Sequence, residues 1–139
     1  MYLLDTNVWL ERLLGQQRSE EVRQLLEHIP LDRLFITDFS VHSIGVILYR
    51  VDRLEALKLF VQDVFIDGAV VLVRLDPEDT QRLLEVINQY KLDFDDAYQY
   101  VASEKYHLTL ISFDRDYDRT ERQKKTPSEI LKDLTGNKG

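Results

Sequence analysis

At 139 residues, with 44% of them hydrophobic, the chain has the size and apolar content of one folded domain. It has no cysteine, which excludes disulfides and thiolate chemistry, and its formal charge of −7 argues against general affinity for nucleic acid. Any zinc site would have to use three scattered histidines, so a bound metal should be a hard cation held by oxygen.

The first eleven residues, Met1-Tyr-Leu-Leu-Asp-Thr-Asn-Val-Trp-Leu-Glu11, join an apolar run to a helical pattern through Asp5. No basic leader, cleavage site or membrane-length apolar stretch precedes that run, so a soluble cytoplasmic protein is expected. Asp5 stands where a strand ends and a helix begins, the position at which α/β sheets gather ligands. It is equally suited to cap the helix over 8–14. A second helix opens at Ser19-Glu-Glu-Val22 and runs to Ile29, before the Pro30 and Asp32 turn signals.

Residues 34–37 read as a buried strand. Asp38 or Ser40 can cap the helix whose apolar positions Val41, Ile44, Ile47, Leu48 and Val51 follow a 3.6-residue period. Another helix spans 54–65, and Gly68 ends it. The β-branched run 69–73 reads as a further buried strand, and Pro77 as the first turn of a helix through Ile87. Asp93-Phe-Asp-Asp96 opens a helix over 97–106, residues 108–111 form the last strand, and Thr126-Pro-Ser-Glu-Ile130 starts a final helix. Residues 136–139 read as a frayed tail of this single domain. Strands alternating with helices imply an α/β fold, a three-layer αβα sandwich around a mainly parallel sheet with right-handed crossovers.

Such a sheet brings its strand C-termini to one edge, so Asp5, Asp96 and Asp114 are expected to converge there. Converging carboxylates repel unless a cation lies between them, and Mg²⁺ or Mn²⁺ suits an oxygen-only site. These ions retain waters, one of which can attack a phosphodiester.

In these motifs the chain resembles the PIN domain family, which includes VapC-type toxin ribonucleases. Leu3-Leu-Asp5-Thr-Asn7-Val matches the opening motif, which implies Asp5 as the first metal-site acid and Asn7 as its polar helper. Asp95-Asp96-Ala97 places the third acid on Asp96, and Ser112-Phe-Asp114-Arg-Asp116-Tyr117 resembles the closing T-x-D-x-D-F pattern, with Asp114 as the fourth acid and Asp116 as an accessory or a turn residue. The second acid, a Glu in I-S-x-x-T-x-x-E, falls on Ser43 in the run Ile36-Thr37-Asp38-Phe39-Ser40-Val41-His42-Ser43; a shift of two residues would place Gly45 there. Ser43 can orient a water but brings no charge.

The resemblance implies a divalent-metal-dependent endoribonuclease, the toxin of a type II toxin–antitoxin pair, acting on RNA, restrained by a cognate antitoxin and assembled as a homodimer. The alternative is a catalytically weakened PIN module serving RNA binding or protein interaction. Asp38 could approach the place of the absent Glu, and His42 could meet phosphate or simply pack. Arg115, Arg119, Arg122, Lys124 and Lys125 form a basic tract that either meets an RNA backbone or is a solvated loop.

Overall fold

A computed structural model describes residues 1–136; the expected tail from 137 onward lies outside the described residues. Four strands, β1 (Tyr2–Leu4), β2 (Leu34–Thr37), β3 (Val71–Val73) and β4 (Thr109–Ile111), pair in the order β3-β2-β1-β4, every pair parallel. The α/β expectation is met, and all four strands point their C-termini to the same edge. Seven α-helices cover the faces among the described residues: α1 (Thr6–Leu13), α2 (Ser19–His28), α3 (Asp38–Arg50), α4 (Leu54–Val61), α5 (Thr80–Tyr90), α6 (Phe94–Lys105) and α7 (Pro127–Leu134). None is long and apolar enough to cross a membrane.

The period-two alternation of strand side chains divides the core. Leu4, Leu34, Ile36 and Ile111 pack with Val8, Val22, Leu25, Ile44, Leu48 and Ile130, so α1, α2, α3 and α7 cover one face. Leu3, Val73 and Leu110 turn the other way, against Leu83 and Val86 of α5 and Ala97, Tyr100 and Val101 of α6. One segment departs from its expectation. Of the run 69–73 only Val71–Val73 forms a strand, at one edge of the sheet, and Val71 and Leu72 are exposed.

The helix over 54–65 also changes character, its last turn widening into a π turn at Gln62–Ile66. Neither Asp38 nor Ser40 caps α3. Thr37 does, its hydroxyl accepting from the Ser40 N–H at 3.0 Å, since Asp38 already lies within the first turn. Thr126 and Glu129 form the reciprocal cap of α7, as the spacing suggested.

The chain leaves the π turn at Gly68, where it passes so close to its own backbone that a Cβ would lie 2.6 Å from the Asp63 carbonyl oxygen and 2.8 Å from that of Val64. Backbone cannot step aside as a side chain tip can. Gly68→Ala should therefore lower stability by about 1–3 kcal/mol, read as a lower denaturant midpoint at unchanged slope; an unaltered midpoint would show that this approach is not tight.

Candidate active site

β1 ends at Leu4, and Asp5, in extended conformation, turns the chain into α1. Its Oδ1 accepts from the Thr6 N–H at 2.8 Å, so Asp5 is the helix cap. It is also far more than that. The same oxygen accepts from Gln99 Nε2 at 2.9 Å, and Oδ2 accepts from Ser112 Oγ at 2.8 Å and from the Tyr117 hydroxyl at 3.2 Å. Burial pushes the Asp5 carboxyl up from the ordinary carboxylate value, and these donors, Gln99 foremost, oppose the rise.

Asp96 reaches the same edge from the other layer. The Asp93 side chain caps α6 by accepting from the Asp96 N–H at 2.9 Å, which sets Asp96 in the first helical turn. Its Oδ1 accepts from Tyr117 at 3.2 Å. Buried, and facing the charges of Asp114, Asp93 and Asp5, its carboxyl is pushed up to about 8. Asp114 follows β4 and caps the short 3₁₀ turn Arg115–Arg119, accepting from the Asp116 N–H at 2.8 Å. Carboxylate oxygens of Asp96, Asp114 and Asp116 all lie within 4.8 Å of one another. Three oxygen donors this close, with the Asp96 carboxyl raised by burial first and then by the charge of Asp114, fit a hard divalent cation.

The remaining expected residues fall into place around that group. Asn7 donates to Ser112 Oγ at 3.2 Å and accepts from the Phe113 N–H at 3.3 Å, tying the first turn of α1 to the loop after β4. Ser43, expected from the sequence at the place of the family's Glu, lines a cleft of about 250 Å³ together with Asp5, Asn7, Asp95 and Asp96. His42 points elsewhere, into a groove with Val41, Gly45, Tyr49 and Leu57. Asp38 does not replace the missing Glu, because it accepts from the Tyr98 hydroxyl at 2.8 Å on the other face of the sheet. Trp9 and Tyr100 are core residues.

Much of the basic tract is occupied within the fold. Arg119 donates to the carbonyls of Tyr90 and Lys91 and pairs with Asp116, and Arg122 donates to the carbonyls of Ser103 and Leu108. Lys124 pairs with Asp118 at 2.9 Å. Arg115 stands exposed beside Asp114.

Two residues that sequence reading passed over prove central. Gln99, one helical turn beyond Asp96, gives one amide hydrogen to Asp5 and the other to Ser40 Oγ at 2.8 Å, while its carbonyl accepts from Thr37 at 2.7 Å. Tyr117, fully buried, puts its hydroxyl between Asp5 and Asp96. The i,i+3 spacing from Asp96 to Gln99 was a usable signal for the first, and the aromatic at the end of the closing motif for the second.

A parallel α/β sheet with an oxygen-donor carboxylate cluster at its C-terminal edge defines a class of candidate hard-metal site. The family model of the PIN domain matches residues 2–123, and the chain belongs to that family. No curated protein sequence matches it. Among solved structures it is similar to a toxin–antitoxin complex from Klebsiella pneumoniae, at 21% identity and TM-score 0.73, covering 94% of this chain and 100% of that one. VapC20 of Mycobacterium tuberculosis, described as a sarcin-ricin loop cleaving toxin, superposes at 15% identity and TM-score 0.73, covering 85% and 93% of the two chains. FitAcB from Neisseria gonorrhoeae does so at 16% identity and TM-score 0.71, covering 92% and 99%. At these identities the likeness establishes the fold.

The Asp96 carboxyl, raised in the fold to about 8 from 3.8, favours its protonated form in the metal-free protein. Its contribution to stability is therefore complete below about pH 4, declines as pH rises and is lost above about pH 8. Without divalent ions, the melting temperature should fall across that interval more in the native chain than in Asp96→Asn. Mg²⁺ should raise the melting temperature more at about pH 8.5 than at about pH 5.5, because binding displaces the proton. A Mg²⁺ increment independent of pH would contradict the assignment of Asp96 as a ligand.

Proposed function

We propose that the protein is a divalent-metal-dependent endoribonuclease, a hydrolase of RNA phosphodiester bonds and the toxin of a type II toxin–antitoxin pair. The observation that carries this reading is the convergence of Asp5, Asp96, Asp114 and Asp116, from three separate segments, beside one cleft at the strand C-termini. Asp96, Asp114 and Asp116 would hold Mg²⁺ or Mn²⁺; Asp5, expected from the sequence as a metal ligand too, stands beside that group with four donors already on its oxygens. When bound, the ion supplies a Lewis acid that makes water nucleophilic at neutral pH and offsets phosphate charge.

The chain's own residues prepare that chemistry. Asn7 and Ser112 fix the loop carrying Asp114, whose N–H donates to Ser112 Oγ at 3.0 Å. Ser43 has room in the cleft to orient a water, and exposed Arg115 is placed to meet a phosphate of the RNA backbone. Likeness to a chain of a toxin–antitoxin complex supports an antitoxin protein as partner, and a cytoplasmic homodimer completes the proposal.

A second reading, a PIN module of reduced activity, is favoured by one specific observation. The α3 side of the cleft carries Ser43 and no carboxylate from that helix. Cleavage of RNA with Mg²⁺ or Mn²⁺ separates the two. The native chain should cut, and Asp5→Asn and Asp96→Asn should each lose about a hundredfold or more. Cleavage indifferent to both changes, or to metal, would exclude the metallonuclease. Ser43→Glu should raise turnover where the absent charge is limiting, and no gain would place the limit elsewhere.

A further inference from the structure

A carboxylate offers about four lone-pair positions to donors or metals. On Asp5 all are taken: Thr6 N–H and Gln99 at Oδ1, and Ser112 and Tyr117 at Oδ2. Three of these donors are fixed. The Thr6 N–H belongs to the helix start, Gln99 is held by Thr37 and Ser40, and Ser112 Oγ accepts from Asn7 and from the Asp114 N–H. Tyr117 differs. It makes the longest of the four contacts, and its hydroxyl lies equally 3.2 Å from Asp96 Oδ1. A hydroxyl has one proton, so it can serve one of these carboxylates at a time.

The Tyr117 hydroxyl thus stands between two acids of the cluster, with a single proton to give. We infer that Tyr117 is a positioning residue that restrains metal binding, its hydroxyl taking the last acceptor position of Asp5, or one of Asp96, that a cation entering beside Asp96 would otherwise use. This rests on the proposed metallonuclease reading and extends it. Each acceptor position that the hydroxyl takes is one that a cation would otherwise use, so a cation must displace it. Removing the hydroxyl frees an Asp5 lone pair without that displacement. The sign is the opposite of that expected for a residue that merely supports the site's shape, whose loss would weaken binding.

The test is calorimetric titration of the full chain with Mn²⁺, alongside Mn²⁺-dependent RNA cleavage by the native protein. Tyr117→Phe should bind Mn²⁺ about three- to tenfold more tightly, the worth of one hydrogen bond. In an Asp5→Asn background the same change should have little effect, because the contested position is gone. Tyr117→Met, which removes the hydroxyl with a different shape, must move affinity in the same direction, and Mn²⁺ must raise the melting temperature of both variants more than that of the native chain. Equal or weaker binding by both variants, with native cleavage intact, would overturn the restraint and leave the nuclease reading standing. Absence of both Mn²⁺ binding and cleavage in every form would overturn the two together.

Discussion

Like charges brought to one edge of a sheet must be neutralised, and the structure meets that demand in two ways within a few ångströms. Around Asp5 the neutralisation is internal: a backbone N–H, an amide and two hydroxyls surround a buried carboxylate. Around Asp96, Asp114 and Asp116 it is incomplete, and Asp96 retains a proton to about pH 8 in compensation. The first arrangement holds together β1, α6 and the segment after β4. The second leaves an electrostatic deficit that a divalent ion would fill.

That division explains how the site can be assembled before any ligand arrives. Asp5 is at once the cap of α1 and the point where residues 94 and 112 positions away in sequence meet. Gln99 continues the bracing into α3 through Thr37 and Ser40, and Ser40 in turn lies 2.7 Å from the Thr6 hydroxyl. The polar network thus closes between α1, α3 and α6 without a carboxylate from α3. Ser43 brings no charge to the cleft, so negative charge is weighted toward the segment after β4, where Asp114 and Asp116 lie.

The fold was legible because hydrophobic periodicity reports burial directly. Leu3 and Leu4, or Leu110 and Ile111, read from sequence as members of apolar runs, and the structure sends each pair to opposite cores. Periodicity could not show that β3 is an edge strand, since Val71 and Leu72 have the same β-branched or apolar character whether covered or exposed. At the site, the acids were legible because strand ends and helix starts are marked by composition. The donors to Asp5 were legible only as neighbours of those acids in the motifs, because a hydrogen bond spanning 112 residues leaves no local pattern of its own. The basic tract stayed ambiguous for a related reason: sequence shows the charge of Arg119 and Arg122 but not the backbone carbonyls to which they donate.

The most direct measurement is the anomalous scattering of crystals of the native chain soaked in Mn²⁺. An anomalous peak bounded by the carboxylates of Asp96, Asp114 and Asp116 and absent from Asp96→Asn crystals is the predicted result. Well-ordered acids with no manganese among them, or manganese bound only at surface carboxylates remote from the cleft, would contradict the metal-site assignment on which the proposed nuclease reading depends.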